Sequence, residues 1–403
     1  MLRLFNREFL SNFIGLSSIN VLGMLIPIVT MPYLSRVLGA EGYGIVLLFS
    51  TLSISMMIII DYSTNITGVR ECALNTKNSN QLTSVYIKYQ GIRLLLTFLF
   101  IPLSIIYCYY FFANFDFLFY LELLSVSAIG YYLSAPWFHQ GTSTLAFFSF
   151  ITISTRLIQL LLLFVFVRDA DSIHSAMRLN AYAFMATGII LAIFRYYRMN
   201  VKSLKSYRFS LQNFKEGFDA FIGEFSPNLY SNIPPLVIGA MVSPVVFACY
   251  SIALRITNIA GSFQSIAAKS VYPMVVKGSS SLKALFAINL LFALVPFLLI
   301  LTFGHEVVNL FLGEGYEEAY WYLLLCSPGI ILYSFLCSFS YGYFLPKKMD
   351  SIFKKISLIS SVIPALIGYP LMHFYGATGA ILMLLLARTL FALLYFYYYL
   401  KLK

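Results

Sequence analysis

The chain has 403 residues, of which 60% are apolar and only 11% charged, with a formal net charge of +11. Soluble domains carry roughly 45–50% apolar and about 25% charged residues, and a single water-soluble core stops growing near ~250–300 residues. A soluble enzyme, a DNA-binding protein and a disulfide-stapled secreted domain therefore all fit poorly. At roughly 20 residues per membrane span, the apolar content is material for about twelve helices.

Apolar runs bounded by charge, glycine or proline predict twelve spans in chain order. They cover residues 9–34, 43–62, 90–113, 117–137, 145–167, 176–195, 216–241, 243–266, 283–304, 319–343, 353–373 and 376–399. Some hold internal breakers, such as Gly23 and Pro27 in the first and Pro234 and Pro235 in the seventh. Bundled membrane helices tolerate these because neighbours satisfy the freed backbone groups. The first run is too long for a cleavable signal peptide and contains Asn12 and Asn20.

Charge sets the orientation. With the N-terminus inside and the spans alternating, 21 of the 27 lysines and arginines face the cytoplasm, among them Arg70, Lys88, Arg93, Arg195 and Lys269. Only Arg36, Arg168 and Arg178 face outward, and Arg156, Arg255 and Arg388 lie within spans. This positive-inside asymmetry places both termini in the cytoplasm. It also accounts for the basic excess without nucleic acid.

The most basic loop, 195–215, divides the chain into 1–200 and 201–403, each with six spans. Phe13-Ile14-Gly15 recurs as Phe221-Ile222-Gly223, an offset of 208. At that offset Ser18 meets Ser226, Asn20 meets Asn228, Pro27 meets Pro235 and Val29 meets Val237. Two six-helix halves of the same orientation are expected, related by an axis along the membrane normal. Transporters built from such parallel repeats place a substrate path between the halves.

Specific motifs then point to a family. The stretch from Met31-Pro32-Tyr33-Leu34-Ser35-Arg36 to Glu41-Gly42-Tyr43-Gly44 resembles a signature of the polysaccharide transporter family. Gly68-Val69-Arg70-Glu71, Pro136-Trp137-Phe138-His139-Gln140-Gly141, Leu310-Phe311-Leu312-Gly313 and Tyr375-Gly376-Ala377 are similar in order. These are Wzx-type flippases of lipid-linked oligosaccharides, in the MOP superfamily with MATE exporters and lipid II flippases. The resemblance implies an all-α polytopic protein of two six-helix lobes in a V shape, with a polar cavity lined by spans 1, 2, 7 and 8. It implies movement of undecaprenyl-diphosphate-linked O-antigen units across the bacterial inner membrane by alternating access. A coupling cation, H+ or Na+, and contacts with lipids and other polysaccharide-assembly proteins belong to the same expectation.

Charges within spans are costly, about 2.5–3.5 kcal/mol each at a helix centre on insertion scales, and usually face a cavity or a partner. An anionic sugar–diphosphate head group needs cations in place of its hydration. Arginine suits this because its planar fork binds phosphate bidentately. Arg255, in the eighth span, is the leading candidate for substrate contact. Arg156 and Arg388 are weaker candidates, with an interhelical ion pair or backbone bond as the alternative role. Lys269, at the cytoplasmic end of the eighth span, would attract incoming substrate or simply serve orientation. Arg36 would contact substrate, or cap a helix end.

Polar stripes add to these. Glu224, Asn228, Ser231 and Asn232 share a face of the seventh span, whose start also holds Glu216 and Asp219. Asn12 and Asn20 form a sparser stripe on the first. Glu224 and Asp219 are candidates for proton coupling or ion pairing, and Asp61 is expected to pair with Arg70 unless it serves coupling.

The chemistry of a soluble enzyme is absent. The five cysteines form no C-x-x-C pair, the four histidines are scattered, and no P-loop, H-E-x-x-H or G-x-S-x-G occurs. No cofactor is expected. Two alternatives share the composition: a MATE-like small-molecule exporter, and a membrane O-antigen polymerase or glycosyltransferase. The latter would need a folded external loop, and the longest external segment, near 305–318, is too short.

Overall fold

A computed structural model describes residues 26, 28–76, 78–112, 115–198, 214, 217, 218, 221, 222, 225–276, 278, 281–313 and 315–402. The candidate residues Asn20, Asp219 and Glu224 lie outside these, as do Asn12 and Glu216. The described chain is helical almost throughout. Its helices are α1 (residues 28–37), α2 (Gly39–Asp61), α3 (Val69–Leu74), α4 (Ser79–Phe111), α5 (Phe117–Ser134), α6 (Pro136–Gly141), α7 (Leu145–Phe166) and α8 (Ile173–Arg198). They continue as α9 (Asn228–Ser231), α10 (Ile233–Gly239), α11 (Pro244–Val276), α12 (Leu282–Leu312), α13 (Glu317–Cys326), α14 (Pro328–Phe339) and α15 (Asp350–Lys401).

Nine helices among the described residues are long and apolar enough to cross a membrane. The 23 residues of α2 reach about 35 Å at 1.5 Å per residue, which suits a hydrocarbon layer of ~30 Å. The 52 residues of α15 are more than twice what a crossing needs. The helix breaks at Gly376, with φ 55° and ψ −132°, a conformation that only glycine adopts without strain. A Cβ at Gly379 would lie 2.0 Å from the Leu371 carbonyl oxygen, and one at Gly368 would lie 2.2 Å from Met383 Sδ. Both close approaches are centred on residues 375–376, so the chain folds back on itself there. The expected spans 353–373 and 376–399 are the two arms of this hairpin. Most of the first span falls outside the described residues, as do residues 216, 219, 220, 223 and 224 of the seventh.

The chain forms two compact units. In the unit Phe49–Phe225, α5 and α8 pack most closely. A Cβ on Gly188 would meet the Gly130 carbonyl oxygen at 2.2 Å, and one on Gly130 would meet the Met185 backbone nitrogen at 2.4 Å. Helices in lipid associate through such small residues because no hydrophobic gain drives them together. The other unit joins Met1–Leu48 to Ser226–Lys403. Its core includes Ala267, Ala268, Val271, Leu285 and Cys337, where α11, α12 and α14 meet.

Arg93 and Arg195, counted by the charge asymmetry with the cytoplasmic charges, are not solvent-exposed loop residues. They are 0% and 2% exposed, and they converge on the end of α5. Arg93 donates to the carbonyls of Tyr132 at 3.0 Å and Tyr131 at 3.2 Å. Arg195 donates to that of Ser134 at 2.9 Å and also to that of Leu133. A helix leaves its last four carbonyls without partners, and hydrocarbon offers none. Two guanidiniums supply all four donors and complement the negative end of the helix dipole. The next residue, Ala135, turns left-handed at φ 43° and stops the helix.

A polar cavity around Arg388

One face of α11 begins the site. Tyr250, Leu254, Asn258, Ser262 and Ser265 follow at intervals of three or four residues, so they share a side of the helix. They line a cavity of about 300 Å³ inside the unit that contains residues 226–403. The seventh span contributes Tyr230 and Ser231, α14 contributes Gly261-facing Tyr333, and the second arm of α15 contributes Leu384 and Arg388. Hydroxyls, an amide and one guanidinium thus face a space between membrane-length helices.

Arg388 is 7% exposed. Its guanidinium carbon stands over the Tyr333 ring, 5.2 Å from the ring centre. The ion pairs of Lys88 with Glu71, Arg93 with Asp61 and Arg178 with Glu122 leave Arg388 without a carboxylate among the described residues. A buried cation with no counter-charge is expensive to hold. An anionic ligand entering the cavity would supply the counter-charge that the described residues do not.

The other candidate residues fall in several places. Arg255 is half-buried on α11, one residue past Leu254. One residue is a rotation of about 100°, and Arg255 is not among the cavity-lining residues. It lies instead within electrostatic range of Tyr43. Lys269 is exposed and extends the cavity face by one further turn beyond Ser265. Cys337 lies within electrostatic range of both Lys269 and Arg388. Asn232 Nδ2 donates to Asn228 Oδ1 at 2.6 Å, which joins the two amides to each other. Arg36 donates to the carbonyl of Leu310 in the last turn of α12, and the Tyr316 hydroxyl donates to the Ser35 carbonyl at 3.1 Å. Two of the motif stretches noted in the sequence therefore clasp each other.

In the unit Phe49–Phe225, Arg156 donates to Gln159 Oε1 at 2.7 Å and Asn180 Oδ1 at 3.0 Å, beneath the Phe184 ring. Asp61 pairs with Arg93 at 3.2 Å and accepts from the Tyr131 hydroxyl at 2.5 Å. The partner expected from proximity in sequence, Arg70, is replaced by one 32 residues away, because α4 delivers Arg93 to the end of α2. Among the described residues, no group of three metal-ligating side chains is placed to hold a metal ion.

The wall supplied by Tyr250, Asn258, Ser262, Ser265 and Tyr333 was not singled out in the sequence. Its signal was present in α11, where small and polar residues recur at helical spacing within an apolar span. A second pocket in the same unit, of about 590 Å³, is entirely apolar and is walled by residues such as Ile259, Phe263, Val295 and Phe311.

Comparison with known proteins adds identity to this geometry. The family model for the polysaccharide biosynthesis protein matches residues 9–279, about two thirds of the chain. The chain belongs to this family. Within it, an Escherichia coli (strain K12) protein assigned by inference to O-antigen transport is 25% identical over 394 residues, covering 94% of each chain. A Shigella dysenteriae protein with the same assignment is 20% identical over 378 residues, covering 92% of this chain and 94% of its own. The fold matches an inward-facing multidrug resistance MATE family transporter of the MOP superfamily, with TM-score 0.71 at 13% identity and 93% of each chain covered. It also matches lipid II flippase MurJ in an inward closed conformation, with TM-score 0.70 at 12% identity, 94% of this chain and 86% of that one. The family member described here is thus a multi-pass membrane protein that shares the fold of these transporters.

Proposed function

We propose that this protein is a flippase that carries undecaprenyl-diphosphate-linked O-antigen repeat units from the cytoplasmic to the periplasmic leaflet of the bacterial inner membrane. Both termini are placed in the cytoplasm, and residues 1–200 and 201–403 act as two six-span lobes that alternate access. The observation that carries the reading is Arg388, a buried cation that no carboxylate among the described residues pairs with, facing a polar cavity inside a membrane-spanning unit. At about 300 Å³ the cavity is at the small end of ligand pockets. It suits the charged end of a head group rather than a whole repeat unit.

The proposed roles follow from position. Arg388 takes the diphosphate by its planar fork. Lys269, one turn along the same face, draws the anion toward the cavity, and Arg255 and Arg156 are secondary cations for its passage. Asn228, Asn232 and, on the first span, Asn20 offer hydrogen bonds to sugar hydroxyls, while Arg36 holds an outer helix end. Inward movement of H+ or Na+ drives the cycle, with Glu224, Asp219 and Asp61 as the carboxylates able to take part. An exporter of cationic drugs shares the fold but would meet repulsion from Arg388 and Lys269.

Gene deletion tests the reading. The deletion strain is expected to lose surface polysaccharide and to accumulate lipid-linked intermediate on the cytoplasmic side. Wild-type protein should restore the polysaccharide, Arg388→Lys should restore it partly, and Arg388→Ala should not. Full surface polysaccharide in the deletion strain, with no accumulated intermediate, would sink the flippase reading.

A further inference from the structure

Among the described residues, Arg388 lacks the carboxylate anchor that usually orients a buried arginine. A long side chain without an anchor spreads over its rotamers, and that freedom is lost again when a ligand binds. A bidentate grip on phosphate needs the fork in one orientation. Something else must set it.

The geometry assigns this positioning role to Gly329 and Tyr333, resting on the reading of Arg388 as the cation of an anion site. The two residues are four apart on α14 and therefore sit one above the other on a single helix face. The Tyr333 ring lies under the guanidinium, with Cζ 5.2 Å from its centre. Cation–π attraction holds that side of the group and leaves the in-plane N–H donors free for an acceptor in the cavity. Gly329 supplies the space. A Cβ there would lie 2.8 Å from Arg388 Nη1 and 3.5 Å from its Cδ, closer than atoms tolerate in the first case. The helix α14 starts at Pro328, immediately before this glycine, so the break between α13 and α14 delivers Gly329 to the arginine.

The cradle replaces a salt bridge. An aspartate or glutamate at this point would fix Arg388 equally well but would neutralise it and compete with the incoming anion. A glycine and an aromatic ring fix the guanidinium and keep its charge available. The site is thereby tuned to a ligand edge that accepts two parallel hydrogen bonds, such as two oxygens of one phosphate group.

The nearest atoms to a Cβ at Gly329, Arg388 Nη1 at 2.8 Å and Leu385 Cδ2 at 3.1 Å, are both the far ends of flexible side chains, so Gly329→Ala should displace the guanidinium and leave the helix in place. The test uses the full chain purified in detergent, with undecaprenyl diphosphate as the probe and thermal unfolding as the control. Gly329→Ala is expected to weaken binding about tenfold, the loss of roughly one charge-assisted hydrogen bond, with little change in the unfolding midpoint. Tyr333→Leu removes the ring and should weaken binding as Gly329→Ala does, and Tyr333→Phe, which keeps the ring, should lose less than Tyr333→Leu. In an Arg388→Ala background, Gly329→Ala should have no further effect. A merely structural glycine would lower binding equally in both backgrounds, and that result overturns the cradle, as does unchanged binding by Gly329→Ala alone. If Arg388→Ala itself binds the probe normally, the anion site is wrong and the cradle falls with it.

Discussion

Arg93 stands 3.2 Å from Asp61, and its guanidinium is wholly removed from solvent. The pair joins the end of α2 to the first half of α4, and Tyr131 of α5 completes it through a 2.5 Å hydrogen bond to Asp61 Oδ2. Three helices of one unit therefore share one buried charge pair. Breaking such a pair from one side strands the other charge, at a cost of about 3–5 kcal/mol. Arg93→Ala should be the more damaging variant, because it also strips the Tyr131 carbonyl of its donor and leaves that of Tyr132 to Gln90 Nε2 alone. Asp61→Asn keeps a partner for Tyr131 and should cost less. Unfolding midpoints in detergent check the order; equal midpoints for the two variants would remove the capping role of Arg93.

Arg195 caps the other two carbonyls and also donates to His139 Nε2 at 3.0 Å. A guanidinium has no lone pair to offer, so Nε2 must accept and the imidazole proton sits on Nδ1, 2.9 Å from Thr144 Oγ1. His139→Gln can reproduce one of these bonds and is expected to destabilise by about 1 kcal/mol, near the net worth of a hydrogen bond. Arg195→Met leaves two helix-end carbonyls unpaired and should cost more, about 1–3 kcal/mol per orphaned group. Arg195→Lys should recover part of this. Failure of lysine to recover any stability would mean that shape, not charge, matters at this end of α5.

These two arginines also mark where the sequence stopped being legible. Spans such as 43–62 emerged as α2 (Gly39–Asp61), and the division at Gly376 was read correctly, because both rest on local composition. Arg93 and Arg195 looked like positive-inside loop charges because hydropathy places a charge at the edge of a span. Their helices continue past the apolar run, and only tertiary packing shows that α5 ends between them. Arg255 and Leu254 are neighbours in sequence, but only Leu254 lines the cavity. Which of the membrane arginines faces this cavity depends on helix register, and in α11 the stripe of Asn258, Ser262 and Ser265 carries that register.

Cys72 is fully buried on α3, and its thiol contacts the Phe138 carbonyl at 3.9 Å. Burial disfavours the thiolate and pushes its pKa from 9.0 up to about 12. The thiolate is the reactive form, so alkylation of Cys72 should stay slow as pH rises from 7 to 9 and accelerate only on unfolding. The linked effect on stability has a definite sign. An unfolded thiol ionises near pH 9 while the folded one stays protonated, so this group's contribution falls as pH rises from about 9 toward 12. A maleimide time course on a variant that retains only Cys72 measures it. Rapid labelling of the native protein at pH 8 would contradict the burial.

The hairpin in α15 separates two kinds of glycine. At Gly376 a Cβ would meet nothing closer than Val242 Cγ1 at 3.7 Å, so alanine there fits sterically. The cost of Gly376→Ala is backbone strain at φ 55°, ψ −132°, of order 1–3 kcal/mol. At Gly368 the backbone is helical, and alanine would collide with Met383 Sδ at 2.2 Å. Methionine is flexible and can move, so Gly368→Ala should be the milder change and should be relieved by Met383→Ala. No side-chain substitution at Val242 should relieve Gly376→Ala, because the strain lies in its own φ and ψ. Gly379→Ala should be the worst of the three, since a Cβ there would meet the Leu371 carbonyl oxygen at 2.0 Å and backbone cannot step aside. Unfolding midpoints of the three alanine variants and the double variant with Met383→Ala test the ranking. If Met383→Ala rescued Gly376→Ala, then packing rather than backbone geometry would be what requires glycine at the turn.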